Sequence, residues 1–314
     1  MHRVIVVLVV FSALSFATQA RADILYVSTR ANEIDKISPA GTVSTFATTG
    51  ANPQPQGLAF DSAGNLYAAS NFNSTIVKFT PGGAASVFAN MGLAGPAALA
   101  FDGNGKLYAA NIGNNTIEKF TPGGIGTIFA NTGLNNPFGL AFDNNGNLFA
   151  ANSGDNTIEK FTPGGLASIF ASSGLNQPRG LAFDNAGNLF AANSGNGTIE
   201  KFTSGGTASI FANTGLQNTI GLAFDSAGNL YAAHNDSNAT IEKFTPVGTA
   251  SVFANFSNNG LQAPNFLAFT TDAGVPLLAP AATPEPATFA TFAAGLGLLG
   301  FFVRRKRRGL VRQR

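Results

Sequence analysis

The sequence predicts an all-β protein, a six-bladed β-propeller built from four-stranded blades. The motif LAFD recurs with its aspartate at residues 61, 102, 143, 184 and 225, so the repeat is 41 residues long. Each repeat holds four short apolar segments divided by turns rich in Asn, Gly or Pro, and none has the apolar spacing of a helix. Four short strands in about 40 residues are typical of a propeller blade.

The repeat that begins at Gly139 shows the predicted elements in order. Its four strands are GLAFD, NLFAAN, TIEKFT and ASIFA. The segment 144–147 is a tight hairpin in which Gly146 takes a positive φ, and Pro163-Gly164-Gly165 forms the last turn. The aspartate before the hairpin recurs once per blade, far from its copies. We interpret it as a hairpin cap rather than as a catalytic or calcium-binding group.

The two ends of the repeated region complement each other. First strands begin near residues 58, 99, 140, 181, 222 and 267, and second strands begin at Leu25, Leu66, Leu107, Leu148, Leu189 and Leu230. The region therefore starts with three strands of a blade and ends with the missing first strand, NFLAF at 265–269. Pairing of that strand with the N-terminal three closes the ring and removes two exposed edges. We therefore predict that residues 23–272 form one propeller.

Side chains also recur in register within the strands. The first, second and fourth strands each contribute one aromatic residue per blade, as Phe142, Phe149 and Phe170 do in the copy that begins at Gly139. Columns this regular indicate packing between blades rather than a surface on which bases stack. Glu-Lys pairs recur in the third strand, and we expect them to form ion pairs between neighbouring blades. These pairs begin at Glu118, Glu159, Glu200 and Glu242.

The distribution of charge argues against a nucleic-acid partner. Of the 18 Lys and Arg residues, two lie in residues 1–22 and seven in residues 304–314, which leaves nine in the body. The 16 Asp and Glu residues less Glu285 leave 15 in the body, so its net charge is near −6. An acidic surface repels phosphate backbones. The sequence has no cysteine, which excludes disulfides, thiol catalysis and cysteine-bound zinc.

Both ends of the chain are predicted to direct its export. Residues 1–22 have the pattern of a signal peptide, with a short polar start, an apolar stretch and a cleavage site after Ala22. At the other end, residues 273–286 form a Pro-rich linker, and residues 287–303 are 17 residues without a charge. A helix of that length spans about 25 Å, the short end of what crosses a bilayer. The basic residues 304–314 are then expected to stay cytoplasmic.

The C-terminal pattern resembles a known sorting signal. Pro284-Glu285-Pro286, followed by the uncharged span and the basic end, is similar to the PEP-CTERM signal of Gram-negative bacteria. The resemblance implies that an exosortase in the inner membrane cuts near the Pro-Glu-Pro motif. The protein is then released or transferred to the cell surface after a transient stay in the membrane. Bacteria with such proteins usually make extracellular polysaccharide, so the resemblance also implies a matrix association.

The repeat itself resembles another family. The stretch GLAFDNNGNLFAANSGDNTIEKF is similar to NHL-repeat propellers, and the resemblance extends over about 245 residues. It departs from that family after the second strand, where the family often has Asp. Here Asn111, Asn152 and Asn193 stand instead. The resemblance implies a propeller fold and leaves the ligand open.

The candidate site lies where the copies differ. Loops that lead into the first strand and loops that leave the second strand share one face, so their residues are expected to surround the mouth of the central channel. Arg179 could bind a carboxylate or sulfate, Phe138 and Phe266 could stack on a sugar ring, and amides could pair with hydroxyls. A neutral surface without function is the alternative. The predicted ligand-binding residues are Gln56, Phe138, Arg179, Asn265, Phe266, Asn111, Asn152, Asn193 and His234.

The sequence favours a binding or scaffolding module over an enzyme. We expect a monomer without cofactor, metal site or catalytic residues that acts in an extracellular polysaccharide matrix. The alternative is a lyase or lactonase, because gluconolactonase-like and virginiamycin-lyase-like propellers use a metal or a histidine in the channel. His234 is the only histidine after residue 22, and its own loop supplies Asp236 but no glutamate. No cluster has metal-ligand spacing.

Overall fold

The computed structural model describes residues 23–49, 54–215, 218–257 and 263–271. These residues form 24 β-strands and no α-helix. None of them belongs to a helix that is long and apolar enough to cross a membrane. The predicted signal peptide, the Pro-rich linker, the membrane helix and the basic tail lie outside the described residues.

The strands form six antiparallel sheets of four strands, each of which is one blade. Blade 1 contains β1 (Asp23–Thr29), β2 (Glu33–Ile37), β3 (Val43–Thr48) and β24 (Pro264–Thr271). Blade 2 contains β4 (Pro55–Phe60), β5 (Leu66–Ser70), β6 (Thr75–Phe79) and β7 (Ala85–Ala89). Blade 3 contains β8 (Pro96–Phe101), β9 (Leu107–Asn111), β10 (Thr116–Phe120) and β11 (Gly126–Ala130).

The remaining three blades repeat the same order of strands. Blade 4 contains β12 (Pro137–Phe142), β13 (Leu148–Asn152), β14 (Thr157–Phe161) and β15 (Ala167–Ala171). Blade 5 contains β16 (Pro178–Phe183), β17 (Leu189–Asn193), β18 (Thr198–Phe202) and β19 (Ala208–Asn213). Blade 6 contains β20 (Thr219–Phe224), β21 (Leu230–His234), β22 (Thr240–Phe244) and β23 (Ala250–Asn255).

Blade 1 joins the two ends of the described chain. The sheet order is β24-β1-β2-β3, so the last strand of the sequence supplies the first strand of this blade. Leu25 of β1 lies opposite Phe269 of β24, and Val27 lies opposite Leu267. Neighbouring inner strands contact each other around the whole ring, including β20 with β24 and β24 with β4. The predicted six-bladed propeller with a C-terminal closing strand is therefore confirmed.

Aromatic side chains link each blade to the next one. The ring of Tyr67 on β5 lies 5.0 Å from the ring of Phe88 in its own blade and 5.0 Å from that of Phe101 in blade 3, both edge to face. The same two contacts recur at all six junctions, the last one joining Tyr231 to Phe269 of the closing strand. Such a pair stabilises by about 0.5–1.5 kcal/mol beyond burial. The predicted aromatic columns are indeed packing between blades.

Glycine allows the inner strands to lie close together. A Cβ atom added to Gly139 would meet the backbone carbonyl of Arg179 in the next blade, and one added to Gly180 would meet that of Ile220. Side chains at these positions would therefore push neighbouring blades apart. Blade 1 has Phe266 at the corresponding place, which puts an aromatic ring where most blades have none.

The hairpin aspartates act as turn caps, as predicted. Asp143 Oδ1 accepts hydrogen bonds from the backbone N–H groups of Asn145 and Asn147 at 2.9 and 2.8 Å. Gly146 in the same turn has a φ of +77°. The same carboxylates also attract lysines, because Lys78, Lys201 and Lys243 each place Nζ 3.7–3.8 Å from the aspartate of their own blade. The expected ion pairs between neighbouring blades were therefore wrong for Lys201 and Lys243.

Three of the four glutamates of the third strand are buried instead of paired with lysine. Glu118, Glu159 and Glu200 are each 5% exposed, and burial raises the pKa of each carboxyl. In blade 1 the corresponding residue is Asp35, which is fully buried. Burial, with a smaller contribution from Glu33, raises the pKa of Asp35 to about 7, and the Thr45 hydroxyl opposes this weakly.

Deletion of residues 264–271 should destroy the cooperative fold. The deletion removes β24, so β1 and the inner strands of blades 2 and 6 each lose a neighbour and expose backbone edges. We expect aggregation or the loss of a single thermal transition in circular dichroism. A deletion of the same size in the linker, residues 273–280, is the control and should leave the transition unchanged. Equal melting of both deletions would contradict the closure by β24.

Asp35→Asn should stabilise the protein at alkaline pH and change little at acid pH. Because the pKa of Asp35 is raised in the folded state, the stability that its protonated carboxyl contributes is fully present below about pH 4, where the carboxyl of the unfolded chain titrates. That contribution is lost as the pH rises through about 7, the pKa of Asp35 in the folded protein. We expect Asn to raise the free energy of unfolding by about 2–4 kcal/mol at pH 8 in urea titrations. Glu33→Gln, at a half-buried position, is the control; an equal gain from both variants would count against burial as the cause.

Candidate functional site

The two predicted rings of residues do lie side by side. The start of each inner strand is opposite the end of the second strand of the same blade, as in Pro137 with Asn152 and Thr219 with His234. The residue after each inner-strand start is the mouth position, and its six members are Gln56, Ala97, Phe138, Arg179, Ile220 and Asn265. These residues and Phe266 therefore define one end of the propeller axis.

Three of the predicted residues stack at the mouth of the channel. The rings of Phe138 and Phe266 are 6.0 Å apart and nearly parallel, with an interplanar angle of 13°. Phe138 belongs to blade 4 and Phe266 to blade 1, which are opposite blades in a ring of six. The two side chains therefore meet across the axis. The guanidinium carbon of Arg179 lies 4.8 Å from the centre of the Phe138 ring, so the cation completes the stack.

Arg179 is held by neutral groups. Its Nη1 donates a hydrogen bond to Asn218 Oδ1 at 2.9 Å, and its Nε is buried without a hydrogen-bond partner in the described residues. Burial lowers the pKa of Arg179, and repulsion from the Arg30 guanidinium lowers it further. No carboxylate of the described residues lies within ion-pair distance of either arginine. Asp155, in the loop after β13, accepts instead from Thr157 Oγ1 at 2.8 Å.

Of the two remaining polar mouth residues, Asn265 supports the ring and Gln56 does so by no hydrogen bond of its Oε1 within the described residues. Asn265 is 2% exposed; its Oδ1 accepts a short hydrogen bond from Asn235 Nδ2, and its Nδ2 donates to Pro55 O at 3.5 Å. This amide therefore ties blade 1 to blades 6 and 2. Gln56 is half-buried, and its Oε1 has no hydrogen-bond partner within the described ranges.

The three asparagines at the second-strand ends hold the loops between blades. Asn193 is fully buried; its Oδ1 accepts from Asn176 N at 3.0 Å, and its Nδ2 donates to Gly174 O at 2.8 Å and Thr198 Oγ1 at 2.9 Å. Asn111 and Asn152 make the same three hydrogen bonds in their own blades. Each amide thus uses its hydrogen-bonding groups inside the protein, and no free amide is left for a hydroxyl group.

His234 occupies the corresponding position in blade 6 and has different partners. It is fully buried, with Thr219 Oγ1 2.9 Å from its Nδ1 and Glu242 Oε2 3.2 Å from its Nε2. Thr219 is also fully buried. The loop of His234 supplies no glutamate, as the sequence indicated. The glutamate beside His234 is Glu242, which comes from the next strand, β22.

Four residues near the mouth were missed from the sequence. Arg30 follows the end of β1, and its charge next to a predicted ring could have been noticed. Asn218 has a φ of +61°, and nothing in the sequence shows that its side chain meets Arg179. Thr219 becomes visible only when the blades are aligned with one another, since it stands where blades 2–5 have Pro. Glu242 corresponds to the glutamates of blades 3–5, and only the fold places it beside His234.

Comparisons with known proteins agree with the tail and the fold. Residues 282–308 match the model of the PEP-CTERM protein-sorting motif. No curated protein matches the sequence significantly. Among solved structures, the chain is similar to one in a nidogen/laminin complex, with 21% identity, a TM-score of 0.70, and coverage of 79% of this chain and 98% of that one.

Two lyases are also similar in structure. Virginiamycin B lyase from Staphylococcus aureus is 15% identical with a TM-score of 0.62, and the match covers 81% of this chain and 89% of that one. A streptogramin B lyase is 16% identical with a TM-score of 0.55, covering 74% and 72%. Identities this low show the fold alone. Binding proteins and lyases both use it, so the fold does not decide between them.

The fold and the tail together define a class of protein. The chain is a β-propeller similar to NHL-repeat proteins, and it carries a PEP-CTERM motif at the predicted place. That motif is a substrate signal for exosortase, a membrane protease, and indicates export and sorting to the cell surface. The predicted sorting signal is confirmed.

Proposed function

We propose that the protein is a surface-sorted binding module that holds an acidic polysaccharide of the extracellular matrix at the mouth of its propeller. The observation that carries this proposal is the Arg179 guanidinium, supported by Phe138 and unpaired with any carboxylate in the described residues. The surrounding body has nine basic and 15 acidic residues. A cation kept free of counter-charge in an acidic domain is suited to an anionic ligand.

The arrangement of the arginines favours a carboxylate or sulfate group as the recognised feature. Phe138 holds the guanidinium by its face, and Asn218 takes one of its five donors. The remaining donors keep the fork geometry that binds an oxyanion at two points. Arg30 is exposed and close enough to lower the pKa of Arg179, so it adds positive potential at the same place.

A polymer fits the mouth better than a small molecule deep in the channel. Phe266 and Phe138 meet across the axis, so they close the channel at this end. A ligand therefore lies over the stack rather than below it. An extended chain can also contact several blades around the stack, which a short ligand cannot reach.

The route to the surface is part of the same proposal. A signal peptide cleaved after Ala22 would start export in a Gram-negative bacterium. The uncharged span 287–303 would hold the protein transiently in the inner membrane. Exosortase would then process the tail near Pro284, Glu285 and Pro286, and the propeller would act as a monomer without a cofactor or metal site. The motif at 282–308 supports this order of events.

The lyase or lactonase alternative has less support. Its candidate residue, His234, is fully buried, and so is the Thr219 hydroxyl beside it, so neither reaches a substrate in this conformation. Among the described residues, no group of three His, Asp or Glu side chains is placed to hold a metal ion. Only the general fold is shared with the similar lyases.

Arg179→Ala should weaken the binding of an acidic polysaccharide without changing the fold. The loss of a charge-assisted hydrogen bond is worth about 1.5–3 kcal/mol, or roughly a 10- to 150-fold higher dissociation constant. Purified full-length protein in detergent would be titrated with alginate, a polyuronate, and with neutral dextran at low and moderate salt. Phe138→Ala should also weaken the binding of alginate, because the guanidinium loses its support.

Lys106→Ala is the matched control for this experiment. Lys106 is an exposed cation in the hairpin at the opposite end of blade 3, so its removal changes the net charge equally. Binding should stay within about twofold of the parent protein if the mouth is the site. Equal losses in Arg179→Ala and Lys106→Ala would indicate unspecific attraction. No binding of any polysaccharide by the parent would refute the proposed ligand class.

Alanine substitution of Pro284, Glu285 and Pro286 should stop processing but not membrane insertion. The apolar span and the basic end stay intact, so the tail still enters the bilayer. We expect the full-length form to accumulate in the inner-membrane fraction, as seen by immunoblotting of fractionated cells. Substitution of Pro276 and Pro280 in the same linker is the control and should leave processing intact. Normal release of the triple variant would mean that the tail is only an anchor.

A further inference from the structure

The junction between blades 5 and 6 departs from the other copies at three positions. In blades 3, 4 and 5 a proline that begins the inner strand lies opposite an asparagine, as Pro178 lies opposite Asn193. Blade 6 has Thr219 opposite His234. In addition, Gly197 stands where Asn115 and Asn156 hold the loop to the next blade in blades 3 and 4. All three departures surround Asn218, the residue that binds Arg179.

These departures do not improve the fold of the blade. In blades 3–5 the asparagine Nδ2 donates to a threonine hydroxyl on the third strand, as in Asn193 with Thr198 at 2.9 Å. In blade 6 the corresponding Thr240 hydroxyl is buried without a partner in the described residues. A buried hydroxyl that loses its hydrogen bond is destabilising. A change that weakens the local structure in a single copy points to a role at this place.

A continuous set of contacts connects a partly buried carboxylate, that of Glu242, to the mouth. Glu242 Oε2 lies 3.2 Å from His234 Nε2, and Thr219 Oγ1 lies 2.9 Å from His234 Nδ1. Thr219 directly follows Asn218 in the chain, and Asn218 accepts from Arg179 at 2.9 Å. The Asn218 backbone is fixed as well, since its N donates to Ser194 O and its O accepts from Asn235 N. These contacts connect His234 to Arg179 through Thr219 and Asn218.

A hydroxyl, a histidine and a carboxylate in this order also occur in nucleophilic catalysis. Here Thr219 and His234 are fully buried, so no substrate carbonyl can reach the hydroxyl. The arrangement can move a proton or a charge but cannot attack a ligand. The property that can change here is therefore the charge of the His234–Glu242 pair, and the nucleophilicity of the Thr219 hydroxyl plays no part.

Glu242 is the charged group that faces His234 within the described ranges. Blade 5 presents the apolar side chains of Ala192 and Ile199 to this face, and Tyr231 of β21 points to the opposite side of the sheet. Lys243 is paired with Asp225 at the far end, and the Asp236 carboxylate caps the next turn by accepting from Asn238 N. The remaining charges nearby are Arg179, beyond Asn218, and its neighbour Arg30.

We propose that His234 is a positioning residue whose protonation strengthens anion binding at Arg179. The proposal rests on the function assigned above to the mouth. When His234 is neutral, the His234–Glu242 pair leaves one partly buried negative charge behind the anion site. When His234 is protonated the pair is neutral, and Nδ1, which accepts from the Thr219 hydroxyl in the neutral ring, carries a proton and donates to it. Histidine ordinarily gains its charge between about pH 5 and 8, so the site would bind more tightly in acidic surroundings.

Nuclear magnetic resonance can test this coupling without a polysaccharide. The full-length protein with His2→Gln has His234 as its only histidine, so labelled imidazole reports one titration. Removal of the Arg179 charge in Arg179→Gln should raise the midpoint of this titration by about half a pH unit or more, because a repelling cation is lost. Lys106→Gln removes the same charge at the far end and should leave it unchanged. An unshifted midpoint in Arg179→Gln, or a His234 that stays neutral down to pH 5, would overturn the proposal.

Binding measured against pH gives the second test. The parent should bind alginate about fivefold more tightly at pH 5.5 than at pH 8 and constant ionic strength, a coupling at the low end of the usual range. By reciprocity, saturating alginate should raise the His234 midpoint by about 0.7 pH unit. Equal affinity at both pH values would overturn the proposal. If the parent binds no alginate, the proposed function is wrong. The coupling between His234 and Arg179 is then decided by the titration of Arg179→Gln alone.

The chain itself offers a control for the pH dependence. The double variant Thr219→Pro with His234→Asn restores the pair found in blades 3–5, so it should fold. It keeps Asp35 and the buried glutamates, whose titration could otherwise imitate the effect. We expect its alginate affinity to stay at the parent's pH 8 level throughout. A double variant with the parent's pH dependence would show that His234 does not cause it.

Discussion

The pairing of β24 with β1 is the constraint on which the rest of this structure depends. Each blade packs against the next, so the inner strands form a closed ring only if the last blade also finds a neighbour. Residues near 25 and near 269 must therefore meet before the core of blades 6 and 1 exists. Contacts between residues so distant in sequence are costly to form because the chain between them loses its freedom. The repeated contacts within the ring have to offset that cost.

Two repeated interactions provide this support. The aromatic contacts join every blade to the next through the second, fourth and first strands, and they recur with nearly constant distances around the ring. The buried asparagines of blades 3–5 add a polar counterpart, since each one fixes the loop that crosses from blade to blade. A fold with aromatic contacts at all six junctions can tolerate the loss of one hydrogen bond in a single blade. Blade 6 shows such a loss, where His234 replaces the asparagine and leaves Thr240 without its partner.

Much of the fold could be predicted from the sequence because repetition makes a weak local signal visible. The spacing of 41 residues, the turn glycines and the complementary ends were enough for the blade number, the closing strand and the aromatic columns. The repeat did not predict where individual side chains point. Asn111, Asn152 and Asn193 were predicted to line the mouth, but each amide turns inward and hydrogen-bonds the loop between blades. The lysines paired within their own blades for a similar reason: the hairpin aspartate is close along the same sheet.

The site could be predicted in part because it is the place where the copies disagree. Arg179 and Phe266 were found because they differ from the residues at the same position in most other blades. The structure brings both to the axis, where the inner strands of all six blades come together. Asn218 was not singled out, and Glu242 was noted only as part of a repeated Glu-Lys pair, because the fold alone joins them to Arg179 and His234. In a protein of repeats, the common residues build the ring, and the mouth positions are where residues that differ between the blades can act together. We therefore propose this end of the propeller, where Arg179 and Phe266 meet Phe138, as the place where the ligand binds.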